Sequence, residues 1–465
     1  MAAIAVTRFG LGAKPGELDA VMADPPSFLA AQIRGSGADQ PQANPETAAQ
    51  RLAEFKDYAA FRQDARRDRK ADTAKDAAPT PPERDPVKLA QKLLREETAV
   101  DFLTRAQLAA NTDAAFRERW ALFWCNHFTV SATKLITATV VGPFEQEAIR
   151  PNVFGTFENL LVSSSAHPAM ILYLDQAQSF GPDTIAARYM SRGGKTGGLN
   201  ENLAREILEL HTVGVDGGYA QEDVTEFARA MTGWSIGWNG EAKEQQGRFV
   251  FRANGHQSGP RTVMGKRYPP GGPDQAAAIM HDLALHPKTA RHIAVKLARH
   301  FVADDPPPAL VTRLEANFLK TGGRLDYLAL ELLKSPEAWQ PQALKFKTPY
   351  EFVISSFRTV GAAPQKIETL APLLNGLGQK PFSAPSPKGW AEEAEIWAAP
   401  DALIKRMQFA SAFANLAVGD RDPSRLAESA LGARLTPPVA KAIARAESRS
   451  EGLAIALMSP EFQRR

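Results

Sequence analysis

The sequence predicts a mainly α fold: one compact multi-helical domain over residues 1–465 with a small β-hairpin insertion near 234–268. Three observations lead there. Apolar residues recur at three-and-four spacing through most of the chain, the pattern of a stripe that a helix buries. Period-two alternation of aromatic and β-branched residues is concentrated between Trp234 and Tyr268, in TGWSIGW, GRFVFRAN and RTVMGKRY, with glycine and asparagine between the runs. Hydrophobic residues make up 44% of the 465, enough for a sizeable core, and Cys125 is the sole cysteine, which excludes a disulfide framework and any cysteine-rich metal site.

Taken in order, the periodicity predicts helices near 15–34, 46–65, 87–110, 114–130, 153–165, 200–213 and 221–233. After the hairpin it predicts helices near 273–285, 288–303, 308–320, 325–334, 348–360, 401–415 and 436–458. Residues 66–86, RRDRKADTAKDAAPTPPERDP, are charged and proline-bearing and read as a flexible excursion. Residues 381–400, with PSPKGW and Trp397, read as a surface loop. LLKSPEAW and ALMSPEFQ each mark a helix-to-helix corner: serine caps, proline suits the first helical position, and glutamate complements the dipole.

The densest chemistry lies in Asn200 to Trp234, NENLAREILELHTVGVDGGYAQEDVTEFARAMTGW. Leu203, Ile207 and Leu210 form the buried stripe of a first helix, with Asn202, Glu206 and Glu209 together on one flank. His211 lies about 200° round a regular helix from Glu209 and does not join them. Gly214 stops this helix, Asp216-Gly217-Gly218 turns, and a second helix buries Val224, Phe227, Ala228 and Met231 while Asp223 and Glu226 share a flank. Two helices that each present a carboxylate pair can build a metal or acid/base site where they meet. The same acids also have salt-bridge partners at helical spacing, Arg205 for Glu209 and Arg229 for Glu226, so a solvated helix surface fits too.

Elsewhere, His127 shares an apolar stripe with Trp120, Phe123, Trp124 and Phe128, so it faces inward, as a core histidine or as a ligand or base near the Glu206 flank. His256 sits in a glycine-flanked loop followed by Arg261 and Lys266, placed to bring an imidazole to a site. His167 precedes a proline and suits a cap. His292, Lys296, Arg299 and His300 form a basic flank that reads as solvated. Gly193-Gly194-Lys195-Thr196 resembles a phosphate loop, but Tyr189 occupies the position where that loop needs glycine. Neither a Gly-x-Ser-x-Gly elbow nor a His-Glu-x-x-His helix occurs.

Lys and Arg number 55 against 52 Asp and Glu, a formal charge of +3, which gives no footprint of nucleic-acid binding. No run of about 18 apolar residues occurs, so no membrane span is expected. The start, MAAIAVTRFGLGAKPGEL, lacks the basic leader and apolar core of a signal peptide, so a cytoplasmic location is expected unless another route exports the chain.

The motif strings carry a resemblance. RFGLGAKPGEL, ERWALFWCNHFTVS, HPAMILYLD, the long Asn200 motif, NGHQSGPRTVMGK, ARHIAVKLARHFVADDP, KFKTPYEF and LMSPEFQ, in this order, are similar to the bacterial domain-of-unknown-function family 1800 (DUF1800). The resemblance brings no catalytic residues with it. It implies a partner: a co-encoded exported protein of a second uncharacterised family. Ala220 stands where the family usually has a capping threonine.

Two functions fit the residues. One is a metal-assisted hydrolase or lyase, with a divalent metal ion on Glu206, Glu209 and Asn202, and with His127, His211, His256 and Asp223 as the catalytic set. Carboxylate ligands favour Mg²⁺, Mn²⁺ or Ca²⁺, and a histidine drawn in would admit Zn²⁺ or Fe²⁺. The other is a non-catalytic helical scaffold that meets its exported partner through Trp234, Trp238 and Trp390.

Overall fold

A computed structural model describes the chain except for residues 43–45, 73–85, 193–197 and 239–240. The mainly α prediction holds: helices carry the fold, and among the described residues the strands form two small antiparallel pairs. Many helices start on proline, among them Pro273–Ala284, Pro287–Phe301, Pro308–Thr321, Pro349–Thr359 and Pro400–Ala417. Proline fixes the first helical φ and lacks an N–H that would be orphaned there.

Where sequence and structure differ, caps and turns explain it. The expected 15–34 helix is split into Glu17–Val21 and Pro25–Ala30, because Asp24 caps the second by accepting from the Ser27 N–H at 3.2 Å. The expected 436–458 helix is likewise two, Pro437–Ala444 and Arg449–Met458, the latter capped by Ser448. The Ala48–Asp72 helix runs past the expected start of the 66–86 excursion, and residues 73–85 of that stretch lie outside the described residues. So does Gly193-Gly194-Lys195-Thr196.

The insertion holds two hairpins instead of one. β1 (Trp234–Ile236) pairs with β2 (Phe249–Phe251), Trp234 opposite Phe251, and β3 (Arg261–Val263) pairs with β4 (Lys266–Tyr268), Arg261 opposite Tyr268. The second turns through Met264 and Gly265, both with positive φ (49° and 77°), the backbone of a tight two-residue hairpin loop.

The core is aromatic. Trp120 and Trp124 are fully buried; Trp120 stacks on Phe154 at 6.1 Å and donates its indole N–H to the Val153 carbonyl at 2.7 Å. Buried arginines hold element ends together. Arg358 donates to the carbonyls of Ala109, Ala110 and Thr112, the C-terminal end of the Pro86–Asn111 helix, and pairs with Glu17 at 2.8 Å. Arg150 and Glu118 form a two-pronged pair with both bonds at 2.8 Å.

The 381–400 segment is inlaid where a surface loop was expected. Phe382, Ala384 and Trp397 are buried. The Asn126 amide exchanges hydrogen bonds with the Trp390 backbone (3.0 and 2.8 Å), and Ala132 N–H donates to the Phe382 carbonyl at 2.7 Å. Gly389, at φ 87°, fits only as glycine, since a Cβ would come within 2.5 Å of the Asn126 carbonyl oxygen. Among the described residues no helix is long and apolar enough to cross a membrane.

Candidate functional site

The Asn200 motif folds as a short helix, Asn202–Glu206, whose continuation Ile207–His211 widens into a π turn instead of the regular helix expected. π turns are frequent at functional sites. Asn202 is exposed, and Glu206 is half-buried. Burial, and then the neighbouring Glu209 charge, raise the Glu206 carboxyl above its ordinary value. Glu209 pairs with Arg205 at 3.3 Å and accepts a hydrogen bond from Tyr219, while Arg205 also reaches Glu201 at 3.1 Å.

The second helix, Gln221–Met231, uses its acids for architecture. Ala220 offers no side-chain cap, and Asp223 compensates by accepting from the Ala220 N–H at 2.7 Å. The other Asp223 oxygen accepts from Met264 N–H at 2.7 Å and fixes the second hairpin turn. Glu226 pairs with Arg229 and with Arg261, the latter at 3.5 Å. His256 accepts no role beside these acids: its Nδ1–H donates to the Thr232 carbonyl at 2.9 Å, and its ring packs on Phe251. Among the described residues the single group of three His, Cys, Asp or Glu ligand atoms close enough to share an ion is Glu46, Glu54 and Glu97, around Arg51. None of the predicted His, Asp or Glu site residues belongs to that group.

The histidines do meet, in the core. His127 and His211 rings lie 5.9 Å apart, and His127 and His292 rings 6.4 Å apart. His127 Nε2 donates to the His211 carbonyl (3.2 Å) and His292 Nε2 to the Leu210 carbonyl (3.1 Å), so both satisfy the open end of the π turn. Both ring nitrogens of His211 are buried without a hydrogen-bond partner. Burial, reinforced by the Lys296 ammonium, pushes His211 down to about 3 and His292 to about 4, and holds His127 well below the imidazole range. The basic flank read as solvated is turned partly inward: His292, Lys296 and His300 follow at four-residue spacing on one face of Pro287–Phe301, His300 buried and the other two half-buried. His167 caps as expected, accepting from Ala169 N–H at 3.1 Å.

His300 brings the second half of this face to a cavity of about 100 Å³ between the helices Ala115–His127, Pro287–Phe301 and Pro349–Thr359 and the loop ending at Glu392. The His300 Nδ1–H donates to Glu392 Oε1 at 2.6 Å, and Nε2, buried, has no partner. Burial outweighs the carboxylate and lowers the imidazole to about 4, while His300 itself contributes to holding Glu392 at about 2. The pair is thus a neutral imidazole with its tautomer fixed by a carboxylate. Tyr350, in the same lining, is buried, and its hydroxyl is unpartnered; burial raises its pKa well above the phenol value.

The charged wall is internally balanced. Arg119 pairs with Glu351, which also takes Arg465 at 3.0 Å, and Arg105 pairs with Glu145 at 3.3 Å while its guanidinium lies 5.2 Å from the Tyr350 ring centroid. Arg105, Arg119 and Lys380 face Glu145, Glu351 and Glu392 in the lining, three charges of each sign. Cys125 also lines the cavity, but burial and then Glu145 push its thiol up, so it reacts slowly, through a minor thiolate, and is not suited to be a catalytic nucleophile.

The chain belongs to the DUF1800 family. The family described as Protein of unknown function (DUF1800) matches residues 4–464. No curated protein and no solved structure matches the chain. In this DUF1800 protein three of the quoted strings converge on the cavity: ERWALFWCNHFTVS supplies Arg119 and Cys125, ARHIAVKLARHFVADDP supplies His300, and KFKTPYEF supplies Tyr350 and Glu351. The sequence reading placed His300 on a solvated basic flank and gave Tyr350 and Glu392 no role, because each is unremarkable in its own segment. The usable signal was the helical spacing His292, Lys296, His300, which puts three titratable groups on one face.

Trp390 lines the cavity and is partly exposed, Trp238 is half-buried, and Trp234 is buried edge-on against Phe249 at 5.0 Å. A scaffold surface built on these three indoles loses Trp234, because the strand pairing turns it into the core.

Proposed function

We propose that this protein is an enzyme, a hydrolase or lyase, that works by acid–base chemistry in the cavity beside His300. The observation that carries the reading is that His300 and Tyr350, whose Nε2 and hydroxyl are buried without partners, both belong to the wall of one cavity. The neutral His300, its Nδ1–H held by Glu392, is the proton acceptor at Nε2; Tyr350, which keeps its proton, donates a hydrogen bond to the charge that develops on the substrate. Equal numbers of opposite charges in the wall suit a small polar substrate without large net charge. The test is a thermal-shift screen of small esters, amides and hydroxy acids, followed by turnover assays on the stabilising compounds. His300→Gln and Tyr350→Phe are each expected to cut turnover by about 10²–10⁴-fold while circular dichroism stays native. Equal turnover in the native protein and both variants would refute the assignment.

A second reading keeps a metal ion at Asn202, Glu206 and Glu209. What favours it is the raised Glu206 carboxyl, which Glu209 destabilises and which a divalent cation would relieve. Metal analysis of the purified protein beside a Glu206→Gln, Glu209→Gln double variant decides it. Equal metal content in both would remove this reading.

A further inference from the structure

A groove of about 500 Å³ lies against the cavity and shares with it Phe102, Lys380 and Phe382. The rest of its lining is largely small or apolar, including Ala99, Ala132, Ala138 and Ile367. We propose that the groove is the way into the cavity and that Phe382 is the gate between them, which rests on the reading of the cavity as the working site. Three observations support the gate.

Phe382 is buried yet walls both spaces, so its side chain is the partition. Its φ is 47°, a left-handed conformation that a bulky residue adopts only when its surroundings impose it, and such strain concentrates at ligand clamps and switches. Its backbone is anchored, the carbonyl accepting from Ala132 N–H at 2.7 Å, whereas its ring is held by soft contacts alone: edge-on to Phe102 at 5.1 Å and against the Arg105 guanidinium at 5.4 Å. A pinned backbone with a ring in weak aromatic and cation–π contact is a hinge in which χ rotation, not loop motion, opens the path. The contacts also tie the gate to the site, because Arg105 touches both the Phe382 ring and Tyr350. The substrate is then a molecule whose compact polar reacting end fits the cavity and whose less polar remainder lies in the groove.

Cys125 makes this testable without turnover, since it lines the inner space and is the sole cysteine. The experiment is the rate of Cys125 labelling in the full chain by iodoacetamide and by the bulkier fluorescein maleimide, at one pH, with the labelled site confirmed by mass spectrometry. Phe382→Ala is expected to accelerate labelling by about tenfold, the factor that each ~1.4 kcal/mol of barrier is worth, and more for the bulky reagent than for the small one. Phe382→Trp is expected to slow both. Unchanged rates in both variants, or acceleration in both, would overturn the gate, the second because it reports general loosening. Labelling requires no chemistry at His300, so a gate that responds as expected while His300→Gln keeps full turnover would retain the entrance and discard the enzyme assignment.

Discussion

The Asn200–Trp234 motif and the cavity beside His300 are both rich in ionisable groups, and they use them in opposite ways. In the motif the carboxylates are spent locally: Glu209 on Arg205 and Tyr219, Asp223 on a helix start and a hairpin turn, Glu226 on Arg229 and Arg261, while His211 is buried with both ring nitrogens unpaired in an apolar setting away from those acids. In the cavity they come from segments hundreds of residues apart, and His300 Nε2 and the Tyr350 hydroxyl, like the Nε of Arg105 and of Arg119, are buried and left unpaired. A dense polar string in a sequence measures how much local stitching a fold needs. Reactivity is better sought where burial has left a polar group without its bond, because that costs stability that a ligand can return.

This contrast sets the order of the expected effects. Glu351→Gln in the cavity wall leaves the Arg119 and Arg465 guanidiniums, both almost wholly buried, without their shared carboxylate. Urea unfolding should show a loss of about 3–5 kcal/mol. A loss below that of a surface pair would mean that the wall is solvated and the comparison fails.

Acid comes next. His211 at about 3 and His292 and His300 at about 4 all lie below the ordinary 6.5, so the unfolded chain takes up protons that the folded chain refuses. Their contribution is fully present above pH 6.5 and is lost as pH falls towards about 4, at about 1.4 kcal/mol per pH unit for each histidine. Unfolding free energy measured from pH 7 to pH 4 should fall correspondingly, and His211→Asn should flatten the slope by one histidine's share.

Asp223→Ala removes both the acceptor for the Ala220 N–H and the acceptor for Met264, and should cost about 1–2 kcal/mol. Smallest is Glu209→Gln, which loses a partly solvated ion pair with Arg205 and should change stability by about 0–1 kcal/mol. A Glu209 effect as large as that of Glu351 would erase the distinction between the two regions.

Most of the fold was legible because helical periodicity reports which face is buried, and the placement of strands at 234–268 followed from alternation. What escaped was set by single caps: Asp24 and Ser448 break helices whose apolar pattern runs on unbroken. The motif's acids were correctly placed on helix flanks, but their partners Met264 and Arg261 arrive from a hairpin that spacing cannot dock. The cavity was illegible for the same reason in stronger form. Nothing in the Phe382–Glu392 stretch signals that it is inlaid against Asn126, a contact that, with Lys345 on the Glu392 carbonyl, brings Glu392 to His300.

The central claim, that the cavity and not the motif flank is the working site, is tested most directly by comparing ligand-induced shifts in Tm for compounds that stabilise the native protein. Four variants suffice: His300→Gln, Tyr350→Phe, Glu206→Gln and Glu209→Gln. The account predicts that the first two lose the shift and the last two keep it. Shifts retained at His300 and Tyr350 but lost at Glu206 and Glu209 would contradict it and return the site to the motif.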